Sequence, residues 1–242
     1  MTATVDIPVW FLMILVVASA YAVVFSVFLP GVRWFFRRRL NRTIERINSS
    51  LRIQIRPFQR TKRQVLIDRL ANDPQVVSAA EAHARETGMP VAAALADADR
   101  YAREIVPAFS AYTYFTIGAR LARWVSTSLY RVRLAFTDRG LLEKLDTDAT
   151  VVFVMNHRSN MDYILVTYMA STATALSYAV GEWARIPVLQ MLIRSMGAYF
   201  IRRSSRSGLY RKVLARYVQM ATQAGVTQAM FPEGGLSRDG KL

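Results

Sequence analysis

The sequence predicts an α/β protein whose central sheet is mixed, largely parallel and flanked by helices, preceded by a transmembrane helix and a small helical subdomain. Three observations lead to this prediction. An uncharged apolar stretch lies near the amino terminus, helical patterns fill the middle of the chain, and from residue 150 short apolar runs alternate with longer helical patterns. Alternating strands and helices indicate a sheet with helices on its faces, because a crossover between parallel strands usually contains a helix.

The composition narrows the possible classes of function. The chain has 242 residues and a net charge of +15, with no Cys and only two His. The absence of Cys excludes disulfides, thiolate nucleophiles and Cys-based metal sites, and two His argue against a His-rich metal site. A charge surplus of this size indicates an anionic partner: nucleic acid, an anionic membrane or a phosphorylated substrate.

Residues 1–30 are predicted to form a membrane anchor. Positions 10–29 contain no charged residue in 20 positions, and a helix of that length spans roughly 30 Å, the thickness of a bilayer core. A signal peptide is the competing interpretation, but no basic region precedes the stretch and no small-residue cleavage site follows it. A buried core helix is the other alternative. We therefore expect a single-pass anchor that is not cleaved.

Residues 31–63 form a basic juxtamembrane segment, with eleven Lys or Arg and one acidic residue, Glu45. The positive-inside bias predicts that this segment and the chain after it lie on the cytoplasmic face of the membrane. Apolar residues recur in it at helical spacing, so the segment is suited to lie along a surface of anionic lipids. A solvated basic linker is the alternative.

Residues 64–149 are predicted to form a helical subdomain and a connecting helix. Asp73 is the expected N-cap of a helix that Gly88 ends, and Pro90 opens the next helix. A later stretch places five apolar residues on one helical face: Ile117, Leu121, Trp124, Val125 and Leu129. Such a face fits a core-facing helix or a membrane-surface helix, and core packing is the commoner explanation.

Residues 150–242 show the alternating pattern of an α/β core. The apolar runs predict strands near 151–155, 176–180, 198–202 and 226–231. The helical patterns between them predict helices near 161–171, 187–196 and 206–224. Open α/β sheets bind ligands at the carboxyl ends of their strands, so we expect the functional residues where these strands end.

The first candidate motif follows the first of these strands, which is predicted to be buried. His157 lies in the loop where the strand ends, and Asp162 lies in the first turn of the next helix, which Ser159 or Asn160 could cap. A carboxylate facing an imidazole fixes its tautomer and stabilises the imidazolium that forms during proton transfer. An exposed His beside an Asp that favours the helix dipole is the structural alternative.

Two more motifs end later strands. Gly197 to Arg203 closes one strand in two adjacent arginines, a residue type that binds phosphate with two parallel hydrogen bonds. Phe231 to Arg238 follows the last strand and contains two glycines, which let the backbone approach a ligand, and a Ser-Arg pair that can donate to a phosphate. Each motif alone is also compatible with an ordinary solvated loop.

In this order, each at a strand end, the three motifs resemble the glycerol-3-phosphate acyltransferase family of glycerolipid acyltransferases. Residues 156–163, read Asn-His-Arg-Ser-Asn-Met-Asp-Tyr, are similar to its His-x4-Asp box, residues 197–203 to its second block and residues 233–242 to its third. The resemblance is close over 150–242 and looser upstream. It implies acyl transfer from acyl-CoA or acyl carrier protein to the sn-1 hydroxyl of glycerol 3-phosphate, the first step of phospholipid biosynthesis.

The resemblance also implies roles for particular residues. His157 would be the general base and Asp162 would orient it, with no cofactor and no metal. Positions associated with binding the acceptor are Phe200, Ile201, Arg202, Arg203, Glu233, Gly234, Ser237 and Arg238. Further substrate-binding candidates beside them are Arg158, Ser159 and Gly235. Backbone N–H groups at 159–161 or in the glycine turn are candidates to hold the oxyanion.

Departures from the family pattern keep alternatives open. Leu236 stands where the third block usually has Arg, and Asn156 and Pro232 resemble the sibling family that acylates lysophosphatidate. The family continues through a fourth block, so the resemblance implies a core truncated at the carboxyl terminus. A non-catalytic, membrane-anchored binding protein is therefore a further alternative. Nucleic-acid binding is not expected, because no nucleic-acid-binding module accompanies the charge.

Overall fold

A computed structural model of the protein describes residues 8–23, 25–26, 29–133, 146, 149–181, 186–202, 205 and 207–237. The chain forms two compact units, Met1–Ile47 and Asn48–Leu242. The predicted catalytic motifs all belong to the second unit.

The first unit contains helix α1 (Val9–Val23) and most of helix α2 (Leu29–Ser50). No helix within the described residues is both long and apolar enough to cross a bilayer, so the predicted transmembrane anchor is not confirmed. Helix α2 carries the first part of the predicted basic segment. On this helix the guanidinium of Arg38 lies 5.2 Å from the ring centre of Trp34, which is a cation–π contact.

The second unit begins with helices that the sequence largely predicts. They are α3 (Pro57–Arg60), α4 (Arg63–Ala71), α5 (Pro74–Thr87), α6 (Val91–Ile105) and, after the π-helical segment Thr113–Gly118, α7 (Ala119–Leu129). The side chain of Asp73 accepts a hydrogen bond from the N–H of Gln75 at the start of α5, and Gly88 ends this helix in the left-handed conformation with φ 70°. Both predicted helix boundaries are confirmed.

A sheet of four strands forms the centre of the second unit. The strands are β1 (Val152–Val154), β2 (Ser177–Val180), β3 (Tyr199–Phe200) and β4 (Gln228–Met230), in the spatial order β1-β4-β2-β3. Every pairing among these strands is parallel, so the described sheet is not mixed. The intervening helices are α8 (Asp162–Ala170), α9 (Pro187–Ser195) and α10 (Gly208–Gln223). The predicted α/β fold is thus confirmed.

Two hydrophobic cores cover the sheet. One joins the sheet to α4, α5, α6 and α10, so the helices of the predicted subdomain share a core with α10. The other lies between the sheet and α8. Successive side chains of a strand point to opposite faces of the sheet. In β3, Tyr199 therefore packs in the first core and Phe200 packs in the second. The sheet therefore lies between the two hydrophobic cores, and side chains pack against it on both faces.

Two burial predictions need correction. β1 was expected to be buried, but Val152 and Val154 are 43% and 64% exposed because β1 is an outer strand of the described sheet. On α7 the small residues Ala122 and Ser126 are buried. The large residues of the predicted apolar face are mostly exposed, namely Ile117, Leu121, Trp124 and Leu129. Of the two interpretations of this face, core packing is therefore wrong for these side chains.

Candidate active site

The first and third motifs lie side by side because their strands are neighbours. β1 pairs with β4, so the loop at 156–161 and the turn that starts at Phe231 both leave the same edge of the sheet. The pairing continues beyond the strands, since the N–H of Met155 donates to the carbonyl oxygen of Met230 at 3.1 Å. Parallel pairing thus brings together residues that are far apart in the sequence.

The His157 imidazole contacts the Asp162 carboxylate, with Nδ1 3.2 Å from Oδ2. Because an ionised carboxylate only accepts hydrogen bonds, Nδ1 is the donor in this contact. In a neutral imidazole held in this way, Nε2 is the nitrogen that can act as a general base. The geometry that the spacing of these two residues predicts is therefore present.

The same carboxylate oxygen also fixes the loop. Asp162 Oδ2 accepts the N–H of Arg158 at 2.7 Å and the N–H of Ser159 at 2.8 Å. The hydroxyl of Ser159 in turn accepts the N–H of Met161 at 3.1 Å within the loop. The predicted cap at Ser159 or Asn160 is wrong, because Met161 is the N-cap of α8 and no side chain caps this helix. Charge-assisted hydrogen bonds of this kind are stronger than neutral ones. Asp162 therefore holds both the imidazole and the backbone that carries it.

The third motif supports His157 from the other side. Glu233 Oε1 accepts the backbone N–H of His157 at 3.1 Å, and the N–H of Ser237 donates to the His157 carbonyl at 2.7 Å. The ring of Phe231 lies 4.3 Å from the imidazole centre, and Tyr163 meets the imidazole edge-on at 5.2 Å. The His157 side chain is only 2% exposed. The imidazole is thus held in one place and shielded from bulk water.

The structure narrows the places where an oxyanion can bind. At the predicted helix-start site, the N–H groups of Ser159 and Met161 already donate to side chains of the loop. Of the 159–161 site this leaves the N–H of Asn160. The other predicted site is the turn at Gly234 and Gly235, where the N–H of Gly234 donates to the Phe231 carbonyl oxygen at 3.2 Å, so Gly235 is the candidate donor. Gly234 has φ 63°, and a side chain there would meet no atom within 4 Å. This open turn can bring backbone N–H groups close to a ligand.

The second motif is held differently. Arg202 forms a two-point ion pair with Glu104 of α6, with Nε 2.8 Å from Oε1 and a second contact between Nη2 and Oε2. Its guanidinium lies near the rings of Tyr101 and Tyr210, which belong to the core with α4, α5, α6 and α10. The pair with Glu104 raises the pKa of Arg202. The structure does not place Arg202 beside His157.

The other predicted residues of the second motif also differ in position. Phe200 is fully buried in the core beneath α8, so its predicted contact with the acceptor does not fit this structure. Ile201 is half-buried, and its N–H donates to the carbonyl oxygen of Val180 at 2.9 Å. Arg203 and Arg238 lie outside the described residues. Within the described residues, no group of three or more His, Asp or Glu side chains is arranged to hold a metal ion.

Two apolar cavities flank the His157 loop. The first, of about 420 Å³, lies between β1 and α8 and is lined by Phe153, Met155, Asn156, Asp162, Met169 and Phe231 among others. The second, of about 250 Å³, lies between α7, α8 and α9 and is lined by Leu121, Val125, Asn160, Met161, Ile164 and Leu192 among others. Each has walls suited to an apolar ligand and reaches residues of the first motif.

Sequence reasoning missed three structural partners of the imidazole. Phe231 and Tyr163 stack around the His157 ring, and Glu233 holds its backbone rather than only facing the substrate. The order of strands in the sheet, which puts β4 beside β1, makes the contacts of Phe231 and Glu233, whereas Tyr163 reaches the imidazole from the first turn of α8. Their nearness to strand ends was visible in the sequence, but the adjacency of the two strands was not.

Comparison with known proteins agrees with this site. Residues 133–242 match the family model described as Acyltransferase. The matched region contains the His157 loop, the end of β3 and the glycine turn. The predicted enzyme class, an O-acyltransferase, agrees with this match.

The chain is also similar to several proteins named glycerol-3-phosphate acyltransferase. It is 29% identical to that of Xylella fastidiosa and 30% identical to that of Xanthomonas campestris, each over 83% of this chain and 24% of the relative. It is 31% identical to that of Pseudomonas putida over 74% of this chain and 22% of the relative. The predicted resemblance is confirmed by these matches, and the chain spans about a quarter of the length of these curated relatives.

Proposed function

We propose that this chain transfers a fatty acyl group from a thioester, acyl-CoA or acyl carrier protein, to the sn-1 hydroxyl of glycerol 3-phosphate. The contact between His157 Nδ1 and Asp162 Oδ2 is the observation that carries this proposal, because it leaves Nε2 able to accept a proton. The relatives' name supplies the acceptor, and the net charge of +15 suits an anionic acceptor, an acidic carrier and anionic lipids.

The reaction needs a base and an oxyanion donor, since a thioester is already activated. His157 Nε2 takes the proton of the acceptor hydroxyl while its oxygen forms a bond to the thioester carbonyl carbon. The carbonyl oxygen gains negative charge, for which the Gly234-Gly235 turn is the proposed donor site. Collapse of the intermediate breaks the carbon–sulfur bond, and the imidazolium returns its proton to the leaving thiolate.

The surroundings of the imidazole favour transfer over hydrolysis. Because the His157 side chain is 2% exposed, bulk water has little access to the base. The two flanking cavities offer apolar walls for the acyl chain. We propose that Glu233, Gly234, Gly235, Ser237 and Arg202, with Arg158 and Ser159 of the loop, contribute to binding the substrates.

Membrane association is also proposed, at the cytoplasmic surface. The basic segment 31–63 suits anionic lipids. The exposed apolar side chains of Leu121 and Trp124 on α7 suit the interfacial layer, and Leu121 also lines the second cavity. An acyl chain leaving the lipid layer would therefore meet an apolar surface next to the site.

The test is release of thiol from acyl-CoA with and without glycerol 3-phosphate. We expect acceptor-dependent release in the wild type and a fall of about 10²-fold to 10⁴-fold in kcat for His157→Ala, the usual contribution of a general base. Asp162→Asn should lose a similar amount, because the neutral amide does not stabilise the imidazolium. The matched control is His83→Ala, which changes the second His of the chain, located on α5.

Three results would contradict the proposal. Unchanged turnover in His157→Ala would refute the base, and thiol release that does not depend on an acceptor would refute the transfer. A wild type that consumes no thioester but binds vesicles would indicate a binding protein. Competition between glycerol 3-phosphate and lysophosphatidate decides which of them is the acceptor. Lysophosphatidate is the alternative that Asn156 and Pro232 favour.

A further inference from the structure

The second apolar cavity, between α7, α8 and α9, has a regular construction. Along each helix its lining residues recur at the spacing i, i+3, i+4 and i+7, which is one helical face over two turns, about 10 Å. These faces run from Gly118 to Val125, from Asn160 to Thr167 and from Leu189 to Met196. No charged residue is among the described residues that line the cavity, so its walls suit a long apolar group.

One end of this cavity begins at the His157 loop. Asn160 of that loop lines the cavity and is exposed. Tyr163 also lines it, and the same ring meets the His157 imidazole edge-on at 5.2 Å. The proposed base and the cavity therefore share a wall, and a group that reacts beside the imidazole can extend into the cavity.

The other end is closed by Met196 and Gly118. Helix α9 leads from β2 back to the start of β3, so Met196 lies near the amino edge of the sheet, opposite the edge that carries His157. Met196 is 8% exposed and Gly118 is buried. A Cβ on Gly118 would lie 2.7 Å from Met196 Cε and 2.9 Å from Sδ. The Met196 side chain therefore fills the space that a side chain at 118 would occupy.

The glycine at 118 is explained by this contact and not by the backbone. Gly118 ends the π-helical segment and has φ −60° and ψ −53°, an ordinary right-handed helical conformation that any residue adopts. Within a helix, glycine is less favourable than alanine. What requires its missing side chain is the close approach of Met196. π-Helical turns are rare and are frequently found at functional sites.

We infer that the second cavity, rather than the first, holds the acyl chain of the donor, and that the contact of Met196 with Gly118 limits the length of that chain. This inference rests on the proposed acyl transfer. The first cavity is less suited, because its wall includes the Asp162 carboxylate and Met169, which is 46% exposed. Each methylene that enters an apolar site raises affinity about fourfold, so affinity should rise with chain length until the chain reaches Met196.

The test is calorimetric titration of the purified chain with thioether analogues of acyl-CoA, which cannot transfer their chain, over a series of saturated chain lengths. Met196→Ala removes the atoms Cγ, Sδ and Cε, so the longest chain that still gains affinity should grow by up to about three carbons. Gly118→Ala should shorten it by about one carbon, because the new methyl group displaces Met196 into the cavity.

The double variant sharpens this test. Once Met196 is alanine, the methyl group added at 118 no longer meets its side chain, so the double variant should resemble Met196→Ala. The kcat/KM values for the corresponding acyl-CoA thioesters should shift in the same directions. Gly118→Ala should fold, since alanine favours a helix and only the end of a flexible side chain has to move.

Met220→Ala is the matched control. Met220 is 7% exposed, close to the value for Met196, but belongs to the core on the other face of the sheet. Its truncation should lower the melting temperature by a similar amount and leave the preferred chain length unchanged. A shift of chain length in Met196→Ala and not in Met220→Ala therefore reports the cavity and not a general loss of stability.

Opposite shifts in the two single variants would support the inference. An unchanged length preference in both would overturn it, as would a shift in Met169→Ala alone, which would assign the chain to the first cavity. A wild type that binds no thioether of any length would also overturn it. Thioether binding with the expected shifts, but without turnover of any acyl-CoA, would refute the proposed transfer and support the assignment of the cavity.

Discussion

The end of β3 and the paired ends of β1 and β4 carry blocks of one family pattern, yet their polar side chains are held in different ways. At β1 and β4, His157 is fixed by Asp162 and by Glu233 from the neighbouring strand end. At β3, Arg202 is fixed by Glu104 of α6. Neighbouring strands are about 4.8 Å apart, so β1 and β3, three positions apart in the sheet, are separated by about 14 Å.

The difference shows that the proposed base is preorganised and the proposed phosphate ligand is not. The imidazole already has its tautomer and its position, which lowers the cost of reaching the transition state. Arg202 would have to exchange the Glu104 carboxylate for a phosphate, or act while still paired.

Among Glu233, Arg202 and Asp73, the largest effect on the reaction is expected at Glu233. Glu233→Ala removes the acceptor of the His157 backbone N–H, and a displacement of the base by about 1 Å can cost about 10²-fold in kcat. Glu233→Gln keeps an acceptor oxygen and should retain most of the activity. Steady-state kinetics of both variants measure this loss, and Glu86→Ala, at an exposed position of α5, is the control.

If the glutamine variant loses as much as the alanine variant, the charge of Glu233 matters rather than its acceptor role. Its Oε2 is buried without a partner among the described residues, so that outcome would direct attention to a substrate group at this oxygen. A rise in KM with kcat preserved would distinguish such a contact from the positioning role.

A smaller effect is expected at Arg202. Arg202→Gln should raise the KM for glycerol 3-phosphate about tenfold, the loss of one charge-assisted contact, with kcat little changed. Glu104→Gln should do the opposite and lower this KM, because it removes the carboxylate that competes for the guanidinium. Initial rates at varied acceptor concentration, at saturating acyl donor, measure both.

Unchanged KM in both variants would show that the pair joins β3 to α6 and takes no part in binding. A loss of stability without a change in KM would agree with that conclusion. The proposed role of Arg202 would then be withdrawn, while the role of His157 would stand.

The smallest effect on the reaction is expected at Asp73. This carboxylate pairs with Arg216 of α10 at 2.8 Å, far from the strand ends, and caps α5. Asp73→Asn should lower the free energy of unfolding by about 2 kcal/mol at neutral pH and leave the KM unchanged. It therefore serves as the structural counterpart of the Arg202–Glu104 pair.

The stability that Asp73 contributes depends on pH. The hydrogen bond from Arg216 is the largest cause that lowers the pKa of Asp73 below its usual 3.8. A lowered carboxyl pKa contributes stability that is fully present above 3.8 and is lost as the pH falls through the folded-state pKa. Thermal unfolding of wild type and Asp73→Asn should therefore differ at neutral pH and converge in acid. Asp97→Asn, in an exposed pair with Arg100, is the control.

Sequence pattern alone determined the fold class, the order of strands and helices from 150 onward, and the caps of α5. Hydrophobic periodicity and the effects of Pro and Gly extend over only a few residues, so they predict helices, strands and helix ends from one sequence. The spacing of His157 and Asp162 belongs with these, because both lie within one loop and one helical turn.

Tertiary structure decided what depends on strand order. It put β4 beside β1 and thereby made Glu233 and Phe231 partners of His157, and it placed two strands between β1 and β3. It also left the apolar face of α7 exposed and buried Phe200 beneath α8. Such outcomes are set by which elements pack together over long sequence separations, and no local pattern in the sequence encodes that choice.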